Sequence, residues 1–342
     1  MIRKDEVFVN ERHWRGMTAS QLEDFAQLIF NYYRQEGFPY YPTDYESRDK
    51  DFEKLVKYDR SSLIEDDVVK QTMHGLGLAW SYFPNAFNVR CGNKMTPYEA
   101  FMDDNVFLEV IYKRLKMGTY ISDSGIRKML KIYSGVQAVS NFRPTAAAAI
   151  YDMFAKNGVV WDMSGGWGGR LLGAIASGVD TYIATEPSTE AFEGLMEIVE
   201  DYGDGDGYCK GIKIHIHKCG SEEYRPLRNT LDLCFTSPPY FDLEKYSFED
   251  TQSYVKYPFK NVWVDHFLRN TFENCYLGLK DDGVMLINIA DIKGNELEAD
   301  MVTTAYSVGF KLRKKMKLAL SNVNLRDKGK KFKYEPIYLF TK

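Results

Sequence analysis

The sequence predicts an α/β protein: a doubly wound, mostly parallel sheet over residues 136–342, preceded by a mainly helical region over 1–135. Three observations carry this. From about residue 144 onward, apolar runs of strand length alternate with helical patterns. One of these runs, Val159-Val160-Trp161-Asp162, leads straight into the glycine-rich stretch Met163-Ser164-Gly165-Gly166-Trp167-Gly168-Gly169. A second run, Asp180 to Thr185, ends in Glu186, 20 positions after Gly166.

The composition is that of a globular chain. Of 342 residues, 44% are hydrophobic and 15% aromatic, enough for a substantial core. The net charge of −4 excludes a polycation, so any binding of nucleic acid must come from a local basic patch. The five cysteines, Cys91, Cys209, Cys219, Cys234 and Cys275, contain no CxxC and read as reduced thiols of a cytoplasmic protein. Met1 to Glu6 lacks an apolar signal segment, and no run approaches the ~18–20 apolar residues that span a bilayer.

In the first region, Thr18 to Gln21 opens a helix with Leu22, Phe25, Leu28, Ile29 and Tyr32 on one face. Pro97 to Lys116 predicts a second helix, and Gly125 to Tyr133 a third with Arg127, Lys128 and Lys131 outward. The stretch from Met73 to Phe87 is too rich in glycine and aromatics to assign. Nothing here carries identifiable chemistry, and the region reads equally as a structural subdomain or a platform for target recognition.

In the second region, Arg143-Pro144 begins a helix that runs through alanines to Phe154, with proline in the first turn. Strand, glycine turn and helix (Leu171 to Ser177) form the βα unit that binds nucleotides, because glycines let the backbone approach a ligand. The dinucleotide pattern GxGxxG fails, since its third glycine falls on Leu171. Glu186 stands where such a fold presents a carboxylate to ribose hydroxyls, and it serves any adenosine nucleoside. Ile212 to His217 alternates as a strand; His215 and His217 share a face but lack a third ligand, so no metal is expected. Gly203 to Gly207 is a turn without a calcium ligand set. After Phe241 comes a long polar-aromatic connection to Lys260, then a helix Val262–Leu277, a turn at 280–283, a strand at 284–289, a helix Leu297–Val308 and a final strand Pro336–Phe340.

The most informative stretch is Thr236-Ser237-Pro238-Pro239-Tyr240, which follows the apolar run Leu231 to Phe235. Each proline lacks an N–H and fixes φ, and each constrains the residue before it to extended geometry. Backbone carbonyls there are free to accept hydrogen bonds from a ligand. With the Ser237 hydroxyl and the Tyr240 ring they suit a planar molecule bearing an amino group.

This stretch resembles motif IV of the S-adenosyl-L-methionine (AdoMet)-dependent amino-methyltransferases, which modify the exocyclic amine of cytosine or adenine in DNA. The resemblance covers about 140–342 and implies a Rossmann-like class I methyltransferase sheet with an antiparallel edge. The Ser-Pro-Pro-Tyr form implies cytosine N4 as acceptor, on a base flipped from its stack, with Ser237, Pro238, Pro239 and Tyr240 catalytic. It implies AdoMet contacts at Arg143, Asp162, Ser164, Gly166, Gly168, Glu186 and Thr236, with Asp162 orienting the methionyl ammonium. Near the adenine ring it implies Ser221, with Glu222 second; Ser221 is equally readable as a helix cap. Arg143-Pro144 departs from the Lys-Pro of motif X. The setting implied is restriction-modification. An adenine-N6 enzyme, an RNA or protein-amide methyltransferase, and a non-catalytic nucleic-acid-binding relative remain open at this point. Residues 311–333 hold ten basic residues and one acid, the composition expected of a segment that contacts DNA phosphates.

Overall fold

The runs at 159–162 and 231–236 are apolar on both faces, as central strands of a parallel sheet must be. Val160, Trp161, Leu233, Cys234 and Phe235 are fully buried, and the two strands pair in parallel with Val160 opposite Leu233. The computed structural model, which describes residues 1–203, 211–292, 294–320 and 333–342, builds a nine-stranded sheet around them. The strands are β1 (Ile64–Glu65), β2 (Val68–Val69), β3 (Val159–Asp162), β4 (Thr181–Thr185), β5 (Lys213–His217), β6 (Leu231–Thr236), β7 (Leu279–Asn288), β8 (Lys311–Ala319) and β9 (Tyr334–Thr341). Their order is β1-β2-β8-β9-β7-β6-β3-β4-β5.

Strands β3 to β7 run parallel, and β9 lies antiparallel between β7 and β8. This is the expected α/β sheet, mostly parallel with an antiparallel edge. The order reverses between β3 and β6, and in open α/β sheets a ligand crevice forms at that reversal, outside the carboxyl ends of the strands.

Two compact units divide the chain: 1–41 with 84–139, and 42–83 with 140–342. The expected boundary near 135 therefore differs from the structure for 42–83, which belongs with the sheet. Its contribution is β1 and β2; β2 pairs in parallel with β8, Val68 opposite Lys317. In the sheet unit, the helices Arg269–Gly278 and Leu297–Val308 cover one side of β7 and β9 with Phe272, Cys275, Met301 and Ala305. Trp263–Leu268 is a π-helical turn that seats Trp263 and Phe267 in the same core.

The turn expected at 280–283 is instead part of β7. Lys280 reaches Asp232 of β6 at 2.7 Å, and Gly283 leaves room for the Leu231 carbonyl, so these polar residues stay in the ladder.

The other unit is helical. Ala19–Glu36, Pro97–Met102, Asp104–Lys116 and Asp123–Ile132 surround an aromatic core of Phe25, Tyr33, Phe38, Phe101 and Phe107. The helix expected over 97–116 is two, because Asp103 caps the second through bonds from the backbone N–H groups of Asn105 and Val106. Arg127, expected to face outward, is buried: it donates to the carbonyls of Pro39 and Tyr40 and lies over the Tyr41 ring. Among the described residues no helix is long and apolar enough to cross a membrane.

Candidate active site

At the strand-order reversal lies a cavity of about 380 Å³, within the usual size of small-ligand sites. Its walls come from the carboxyl ends of the parallel strands. Ser164, Gly166 and Trp167 follow β3, Glu186 follows β4, Ser221 and Glu222 follow β5, and Ser237 to Tyr240 follow β6. Arg143 adds a cation from the start of the helix Pro144–Phe154.

The turn after β3 is shaped by backbone demands. Gly166 adopts φ +56°, and its N–H donates to Glu186 Oε2 at 2.8 Å. Ser188 N–H donates to the other oxygen at 2.9 Å. Glu186 is buried, and burial pushes its carboxyl up to about 7 against the downward pull of those two N–H groups. Gly169 passes so close to the preceding loop that a Cβ there would sit 1.9 Å from the Phe142 carbonyl oxygen.

Asp162 has a different place. It is fully buried and does not line the cavity. Arg170 Nε pairs with its Oδ2 at 2.8 Å, and the Tyr182 hydroxyl donates to the same oxygen at 2.7 Å. Ser164 N–H and the Thr236 hydroxyl donate to Oδ1 at 3.2 and 3.3 Å. The carboxylate thus ties the carboxyl ends of β3 and β6 to the start of β4 and to the helix Gly169–Ile175. Thr236 and Gly168 likewise do not line the cavity.

Beyond β5, the Ser221 hydroxyl shares a hydrogen bond with Thr271 at 2.7 Å. Glu222 is buried; Lys256 binds its Oε1 at 2.6 Å, while Oε2 has no partner among the described residues. Two further cavity residues carry buried polar atoms without a partner among the described residues: the Gln252 Nε2 amide and the Trp167 indole Nε1. A buried acceptor and two buried donors left unsatisfied around one cavity are a binding signature, since such atoms cost free energy until something pairs with them.

At the Ser-Pro-Pro-Tyr end, Tyr240 is half-buried, its hydroxyl set against Ser237 and the Ala290 backbone. Burial, then the nearby Glu335 carboxylate, hold the phenol above its ordinary value, so it remains a donor. Phe241 follows with φ +54°, a conformation a bulky side chain rarely takes, and its ring packs on Trp263. The turn is therefore held in one shape from below. The connection after it supplies Glu244, Tyr246 and 251–254 to the cavity.

Of the expected site residues, Arg143, Ser164, Gly166, Glu186, Ser221 and Ser237 to Tyr240 meet at one cavity. Sequence reasoning missed Trp167, Gln252, Asn288 and Glu335. Trp167 stood inside the glycine turn; the others had no local pattern. In the basic segment, Lys314 pairs with Asp67 at 2.5 Å and Lys315 with Glu298 at 2.9 Å. Arg326, Lys328, Lys330 and Lys331 lie outside the described residues.

Residues 231–342 match a family model described as DNA methylase. No curated protein matches. Solved structures with a similar fold include a TehB-like SAM-dependent methyltransferase from Corynebacterium glutamicum, 15% identical over 59% of this chain and 89% of that one, TM-score 0.37. They also include M. jannaschii TYW2 in complex with AdoMet, 16% identical over 58% and 74%, TM-score 0.34. A third is Aeropyrum pernix fibrillarin with bound S-adenosyl-L-methionine, 12% identical over 57% and 73%, TM-score 0.36. At these scores the likenesses add nothing to the strand order itself.

Proposed function

We propose that this protein is an AdoMet-dependent DNA methyltransferase that acts on an exocyclic base amine, with cytosine N4 as acceptor. The observation that carries the reading is the convergence, on one cavity at the sheet's reversal point, of Ser237 to Tyr240 with a nucleoside-binding set. Glu186 is an acceptor for the ribose hydroxyls. The free oxygen of Glu222 suits the adenine amine, and the free amide of Gln252 suits an adenine ring nitrogen. Trp167 Nε1 and Arg143 suit a carboxylate. The donor set is thus that of an adenosine with an amino-acid tail. AdoMet supplies an electrophilic methyl group.

This chain's own residues then supply position and electrostatics. The Pro238 carbonyl and the Ser237 hydroxyl accept hydrogen bonds from the target amine, which orients its nitrogen lone pair. The Tyr240 ring offers a face to the base. These polar contacts lie at the ends of buried strands, where they act at a lower dielectric than in water. A base reaches such a cavity only when flipped from its stack. The DNA methylase match over 231–342 supports DNA as substrate, and the serine form of the motif supports cytosine. Lys311 to Lys333 would meet phosphates.

The test is mass spectrometry of nucleosides from DNA incubated with protein and AdoMet. N4-methylcytosine is expected. N6-methyladenine alone would overturn the choice of base, and product in RNA alone would overturn DNA.

A further inference from the structure

Glu335 is a cavity carboxyl group that this mechanism leaves unused. It opens β9, opposite Leu318 of β8, and its side chain lines the cavity together with Ser237, Tyr240 and Asn288. Strand order sets it apart from the nucleoside set: β9 lies on the far side of β6 from β4 and β5, which carry Glu186 and Glu222. Glu335 is near enough to the Tyr240 phenol to hold up its proton. The Asn288 amide hydrogen-bonds the Glu335 carboxyl and donates to the Pro336 carbonyl at 3.0 Å. Asn288 thereby holds Glu335 from one side, and Glu335 lines the same cavity as Ser237 and Tyr240.

We propose that Glu335 reads the target base, its carboxyl group pairing edge-on with the exocyclic amine and the ring nitrogen next to it. This rests on the reading above that the Ser237–Tyr240 end takes a base. One carboxyl oxygen accepts from the amine; the other shares a proton with the ring nitrogen. Cytosine and adenine both present this amine-beside-nitrogen edge. A carboxamide side chain presents an amine beside an oxygen instead, and thymine and guanine present carbonyls at the matching positions. Glu335 therefore selects amino bases with an unprotonated ring nitrogen. Ser237 and the Pro238 carbonyl, which address only the amine, cannot make that distinction. Burial raises the Glu335 carboxyl above the usual carboxylate range, which favours the proton the ring nitrogen requires.

The test deletes one atom of the ligand against one group of the protein. Wild type, Glu335→Ala and Glu335→Gln are first saturated with S-adenosylhomocysteine, whose own calorimetric heat reports folding and tests the cofactor reading separately. Deoxycytidine and 3-deazadeoxycytidine, then deoxyadenosine and 1-deazadeoxyadenosine, are titrated by NMR. Wild type is expected to bind one parent nucleoside about tenfold more tightly than its deaza analogue, the value of one buried hydrogen bond. Glu335→Ala should lose that preference. Glu335→Gln should keep it, because an amide also offers an acceptor for the amine and a donor for the ring nitrogen. A merely structural role would not be rescued in this ligand-specific way. Wild type that favours neither parent over its analogue, or an alanine variant that keeps the preference, overturns the proposal.

Discussion

Glu186 should tie cofactor affinity and stability to pH in opposite directions, and both expectations follow from one buried carboxyl. Its oxygens accept from Gly166 N–H at 2.8 Å and Ser188 N–H at 2.9 Å. Two neutral donors do not repay the removal of a charge from water, and the carboxyl is pushed up from 4.5 to about 7. Near pH 8 about nine-tenths of the molecules carry the carboxylate, and near pH 6 about one-tenth do. If ribose hydroxyls donate to the carboxylate, AdoMet affinity should fall about tenfold between those two conditions, or about 1.4 kcal/mol. Stability without ligand moves the other way. The folded state holds this proton more tightly than the unfolded chain, so the contribution is complete below 4.5, declines as pH rises and is gone above about 7. A displacement of about 2.5 pH units corresponds to roughly 3 kcal/mol. Calorimetric titration with AdoMet across this range, and urea unfolding over the same range and down to about 4.5, should show the two opposed slopes. Glu186→Gln, which cannot titrate, should flatten the affinity profile and remove this group's part of the stability profile. An affinity that does not change with pH in wild type, or an equal slope in the variant, would refute the ribose role.

Other substitutions separate structural from binding parts. Gly169→Ala brings a methyl group to 1.9 Å from a backbone oxygen; it should cost about 1–3 kcal/mol or more in urea unfolding, because neither segment can yield cheaply. Asp162→Ala leaves the Arg170 guanidinium buried without its carboxylate, so unfolding should show a loss of about 3–5 kcal/mol, with AdoMet binding affected only through folding. Glu222→Gln exchanges an unpartnered acceptor for a donor or a rotated amide and should weaken AdoMet by about 1–3 kcal/mol in calorimetry. Ser237→Ala should lower turnover about 10- to 100-fold at unchanged AdoMet affinity, since its bond is made to the target.

Much of the sheet was legible because its central strands are buried on both faces. Val159 to Asp162 and Leu231 to Thr236 are short, mostly apolar runs, each followed within three residues by a chain breaker, Gly165 in one case and Pro238 in the other. The two-residue strands β1 and β2 were not legible, since two residues cannot display a period of two. Nor could the sequence separate the acids that end strands. Asp162 and Glu186 occupy the same local context, yet one is consumed by Arg170, Tyr182 and Thr236 while the other faces the cavity. What decides is the tertiary partner: Arg170, in the first turn of the next helix, reaches back to Asp162, whereas among the described residues Glu186 meets only backbone N–H groups. The same holds for Gln252, Asn288 and Glu335. They come from three separate segments and share no pattern until β9 inserts beside β7 and the connection after Tyr240 folds over the strand ends. Local sequence therefore marks the elements that frame the cavity, and topology selects the polar atoms that face it. For that reason the place of Glu335 beside the Ser-Pro-Pro-Tyr turn emerges only from strand order, and the discrimination proposed for it belongs to the antiparallel strand β9 and not to that turn.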